Sequence, residues 1–101
     1  MSIYIGKRLA DNDYFIYDLI KKDPFYICDA SDRLKDDFDM VMEAIKLTVN
    51  GEFGYLNSIS DRLKDDKDII TEAIKRDKTT YEYASDRLKE DPDILFLMNY
   101  L

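Results

Sequence analysis

The sequence predicts an all-α fold of four stacked two-helix hairpin repeats, about eight short helices in a small α-solenoid-like domain. Two observations predict it. Ser-Asp-Arg-Leu-Lys occurs at Ser31 to Lys35, at Ser60 to Lys64 and at Ser85 to Lys89, each time followed by two acidic residues, and a weaker copy sits near the start. Anchored on Arg8, Arg33, Arg62 and Arg87, the copies lie 25, 29 and 25 residues apart, the signature of a repeat architecture. Beyond each copy, apolar residues recur with a helical period. These intervals place the repeats at about 1–22, 23–48, 49–77 and 78–101 of one domain.

The first helix of each repeat is expected around the arginine. Leu9, Leu34, Leu63 and Leu88 form one column, and Ile5, Ala30, Ile59 and Ala84, four residues earlier, form a second on the same helical face. Gly6, Ser31, Ser60 and Ser85 supply a small residue where a neighbouring helix could approach closely. Within the repeat, Arg33 is expected to pair with Asp36 or Asp37, Arg62 with Asp65 or Asp66, and Arg87 with Glu90 or Asp91, as residues three or four apart on a helix do.

The second helix starts four residues after each arginine, where Asn12, Asp37, Asp66 and Asp91 are N-cap residues. Pro92 takes the favoured first helical position, and Asp23 with Pro24 does the same for the second repeat. The buried stripes are Phe15, Ile16, Leu19 and Ile20, then Met40, Val41, Ala44 and Ile45, then Ile69, Ile70, Ala73 and Ile74. In the last repeat Ile94, Leu95, Met98 and Asn99 continue the pattern with one polar residue. The 29-residue interval holds Thr48 to Gly54, with two of the three glycines, and reads as a longer loop.

With these columns in place, Tyr81 to Ile94 (YEYASDRLKEDPDI) resembles the helical repeat family termed domain of unknown function 4116. Tyr83, Ala84, Ser85, Leu88, Glu90 and Asp91 carry the resemblance, with Ala44 and Ala73 in the second helix, and it covers most of the chain. The first copy departs at Gly6 and Lys7, the third at Ser58 and Ile59. The resemblance implies a helical repeat and no catalytic or binding residue.

Composition narrows the function. A chain of 101 residues can bury roughly two thirds of its unfolded surface without disulfide or metal. The net charge of −7 disfavours direct binding to nucleic acid or to an anionic membrane. No apolar run reaches the length of a membrane span, and Met1 to Ala10 has no basic region followed by a long apolar core, so no secretion signal is expected. Cys28 is alone, so no intrachain disulfide forms; with these features, a cytoplasmic location is expected. No histidine is present, which removes the usual base for a serine or cysteine nucleophile, and Cys28 reads as a packed hydrophobe. The Asp-x-Asp pairs Asp37/Asp39, Asp66/Asp68 and Asp91/Asp93 lack the glycine and glutamate of a calcium loop and suit helix caps better. Neither catalytic residues nor cofactors are expected.

What is left is recognition of a protein partner. The expected function is that of a non-enzymatic interaction module using an acidic edge, Asp36, Asp37, Asp65, Asp66, Glu90 and Asp91, together with Phe96 and Tyr100. The last helix has no charged residue after Asp93, although a terminal repeat needs a polar outer face, so a homodimer through it is a second partner expectation. The alternative function is a small acidic inhibitor, of the kind a virus could deploy, that mimics nucleic acid and blocks a host enzyme's basic groove.

Overall fold

The computed structural model describes residues 6–49 and 51–100. Ile5 and Asn50, used in the reading above, lie outside the described residues. Every regular element among the described residues is helical: α1 (Lys7–Ala10), α2 (Asp13–Lys22), η1 (Pro24–Asp29), α3 (Asp32–Lys35), α4 (Phe38–Leu47), η2 (Gly54–Ser58), α5 (Asp61–Lys64), α6 (Lys67–Arg76), η3 (Lys78–Tyr83), α7 (Asp86–Lys89) and α8 (Pro92–Tyr100), where η marks a 3₁₀ helix. One order therefore recurs: a 3₁₀ helix, a one-turn α-helix, then a longer α-helix. The longer helices pack in chain order, α2 on α4, α4 on α6 and α6 on α8, while η1 meets η2 and η2 meets η3.

The expected first helix is corrected by this structure, because it is broken at the serine. Ala30, Ile59 and Ala84 are extended residues that close the 3₁₀ helices, and Ser31, Ser60 and Ser85 are extended N-caps of the one-turn helices that follow. Each serine oxygen accepts the N–H of the leucine three residues on, at 3.2–3.3 Å. A hydroxyl that offers the backbone this alternative favours a cap over a helix interior. The serine starts a helix.

The second helices follow the sequence closely. Asn12, Asp37, Asp66 and Asp91 cap α2, α4, α6 and α8 through their side-chain oxygens. Ile16, Leu19 and Ile20 are buried, as are all four stripe residues of α4 and of α6. In α8 the stripe fails: Ile94 is buried but Leu95 is 41% exposed.

The long loop is present between α4 and η2, with Gly51 at φ 75°, a left-handed conformation that suits glycine. Its ends return to the core. Phe53 and Tyr55 are buried with ring centres 6.2 Å apart, and Phe25 meets the Tyr55 ring edge-on at 5.6 Å. The Thr48 hydroxyl donates to the Ala44 carbonyl at 2.8 Å and so spends its only proton. The Tyr55 phenol must then donate to Thr48, across 2.6 Å.

Candidate interaction site

The repeated motif builds a clasp between consecutive repeats, which the sequence reading assigned to pairs within a repeat. The Ser31 N–H donates to the Ala10 carbonyl at 2.8 Å, that of Ser60 to Lys35 at 3.1 Å, and that of Ser85 to Lys64 at 2.9 Å. Each acceptor is the last residue of the preceding one-turn helix, where a carbonyl has no partner within the helix. The serine hydroxyls donate to Asp11, Asp36 and Asp65, the residues that end those helices, at 2.6–2.7 Å. The arginine two residues later completes the clasp: Nε of Arg33, Arg62 and Arg87 donates to the same Asp Oδ1, each at 2.8 Å, and Nη2 donates to that aspartate's backbone carbonyl. Arg33 also reaches Asp13 at 2.7 Å.

Each junction thus joins the C-terminal end of one short helix to the N-terminal end of the next. The aspartate precedes its arginine by 22, 26 and 22 residues. The four extra residues of the middle interval loop out without disturbing the clasp. An arginine fork bound to both side chain and backbone holds one geometry that lysine would not.

The predicted acidic residues divide by task. Asp36 and Asp65 are held in clasps, while Asp37, Asp66 and Asp91 cap helices. Lys67 bridges to Asp91 at 3.3 Å and Asp93 at 2.6 Å. Burial would raise the Asp91 pKa, but the N–H groups of Asp93 and Ile94 and the Lys67 ammonium outweigh it and lower it. Glu90 ends α7 at the clasp position, and no partner of its carboxylate is found among the described residues. Phe96 and Tyr100 stand 66% and 79% exposed with ring centres 5.5 Å apart. Sequence reasoning missed Asp11 and Asp13, and it placed Leu9 and Leu95, which are exposed, on core-facing stripes. The recurrence of Asp11, Asp36 and Asp65 in one column was a usable signal for the clasp, but a contact between repeats has no short sequence spacing. Cys28 is half-buried in η1 and 3.4 Å from the Ser58 hydroxyl. Among the described residues, no three Cys, Asp or Glu side chains gather around a point where a metal ion could sit.

The family model described as domain of unknown function (DUF4116) matches residues 12–56, 47–89 and 66–97. The chain belongs to the DUF4116 family. The first and third matches begin on equivalent N-caps, Asn12 and Asp66, so the DUF4116 pattern follows the structural repeat. No curated protein and no solved structure matches the chain. No helix among the described residues is long and apolar enough to cross a membrane.

The clasps also set a pH dependence. The serine hydroxyl first, and the arginine second, lower the pKa of Asp11, Asp36 and Asp65. A folded pKa below the unfolded one contributes stability that is present above the unfolded value, about 3.9, and is lost as pH falls through the folded value. The thermal midpoint, followed by circular dichroism, is expected to hold between neutral pH and about pH 5 and to drop below about pH 4. The variant carrying Asp36→Asn and Asp65→Asn should lose less over that interval. An equal loss would show that the clasps do not set the acid limit.

Proposed function

We propose that this chain is a non-enzymatic protein–protein interaction module that binds a partner protein through the last repeat. The observation that carries this reading is the outer side of α8: Leu95, Phe96 and Tyr100 are exposed, with the two rings side by side at a tilt of 31°, on a helix whose only carboxylate is Asp93 at its start. Aromatic side chains in such a position serve as anchors, with neighbouring charges setting approach and specificity.

The experiment is capture from cell lysate with the tagged chain, washed at low and at high salt, alongside the variant with Phe96→Ala and Tyr100→Ala. Both side chains lie outside the core, so the helical spectrum should persist while capture falls about tenfold or more. A partner retained in full by the double variant overturns the reading.

The acidic-inhibitor reading draws support from one further feature. Asp13, Asp37, Asp39 and Glu43 line a groove between α2 and α4, beside Tyr17 and Met40. Reversing Asp36, Asp37, Asp65 and Asp66 would break clasps and caps, so it would report folding. Asp39→Lys with Glu43→Lys is the discriminating change, and a basic, nucleic-acid-processing partner lost both at high salt and with this variant would favour the inhibitor.

A further inference from the structure

The three junctions between repeats share one composition, and the first and last repeats present its two halves to solvent. In the leucine column, Leu34, Leu63 and Leu88 are fully buried, whereas Leu9 is 45% exposed. In the column of the second residue of each second-helix stripe, Ile16, Val41 and Ile70 are fully buried, whereas Leu95 is 41% exposed. Both columns are closed in the interior repeats; the leucine column opens at the first repeat and the other column at the last.

The polar halves are open in the same sense. Arg8 stands where Arg33, Arg62 and Arg87 make their clasps, and Glu90 stands where Asp11, Asp36 and Asp65 receive them. Neither side chain has a hydrogen bond or ion pair among the described residues. Gly6 holds φ −65° and ψ 160°, the conformation of Ser31 at −64° and 162°, so its N–H is posed for the clasp. The Lys89 carbonyl already accepts the Tyr81 phenol at 2.6 Å, but a carbonyl has a second lone pair.

We propose that a second copy of this chain occupies the exposed end of the last repeat, with copies stacking head to tail so that Gly6 and Arg8 of one clasp Lys89 and Glu90 of the next. Leu9 and Leu95 are covered at the new junction as their columns are at the interior ones. The opposite charges of Arg8 and Glu90 select this polarity over a symmetric pairing of two last repeats. The contact joins unlike surfaces, so it propagates into rows that lengthen with concentration. This rests on the reading of the last repeat as a binding face and names its occupant.

The test is sedimentation velocity on the purified full chain from micromolar to millimolar concentration. Mass should rise with concentration, and Arg8→Glu or Glu90→Arg alone should weaken association roughly tenfold or more. Association should return when the two single variants are mixed, and when both changes are in one chain, because each restores an opposite pair at every junction. Gly6→Ser should tighten it, since a Cβ at Gly6 meets nothing within 4 Å and the hydroxyl restores the missing donor. A chain that is monomeric throughout overturns the proposal, as does association indifferent to both charge reversals but lost with Phe96→Ala, which marks a symmetric dimer through α8. A monomer that still captures another protein in a Phe96-dependent way leaves the binding-face reading standing and removes only the second copy as its occupant.

Discussion

Leu63→Ala is expected to destabilise the protein by about 2–5 kcal/mol, whereas Leu9→Ala, in the same column of the repeat, should cost no more than about 1 kcal/mol. Leu63 is fully buried, and a methyl group in its place leaves a cavity that the surrounding helices can only partly close. Leu9 is nearly half exposed, so water takes the vacated space. Small domains are stable by only about 5–15 kcal/mol, so the first change removes a large part of the total. Its thermal midpoint should fall by roughly 10–30 °C and that of Leu9→Ala by a few degrees, measured by circular dichroism in the monomeric range. Similar losses from the two variants would mean that burial between repeats is not what stabilises this column.

Thr48→Val is expected to cost about 1–3 kcal/mol, because it takes the acceptor from a fully buried phenol while barely changing volume. Tyr55→Phe with Thr48→Val should cost less than the sum of the two single changes, since removing both partners leaves no buried hydroxyl in need of one. The same phenol reports its surroundings spectroscopically. Burial pushes its pKa up to about 12. Its folded pKa lies above the unfolded value near 10, so its contribution is complete below pH 10 and is lost as pH rises toward 12. In an ultraviolet titration at least one tyrosine should ionise only near pH 12, as the helical signal is lost. Ionisation of all eight tyrosines near pH 10 in the folded protein would contradict this burial.

Leu9 and Leu63 also mark the limit of sequence reading here. The two residues sit in identical columns of one motif, and periodicity makes both core residues. Exposure separates them, and exposure depends on whether a neighbouring repeat lies alongside. Leu95 shows the same at the other end. The aspartates were legible as caps, because a cap is a contact across three residues, and Asp37, Asp66 and Asp91 all fill that role. Asp36 and Asp65 were read as partners of an arginine in their own repeat and as part of an acidic edge, yet they receive a serine and an arginine from the next repeat.

The sequence by itself determined the all-α class, the repeated unit, the capped second helices and the longer loop after α4, since each is written in short-range spacing and in residue-specific backbone preferences. Only the tertiary structure decided that the serine breaks the first helix, that the arginine reaches back one repeat, and that Thr48 and Tyr55 meet within the core. The physical reason is that caps and helical stripes depend on neighbours a few residues away, whereas the clasp joins residues 22 or 26 apart whose meeting depends on how the repeats stack.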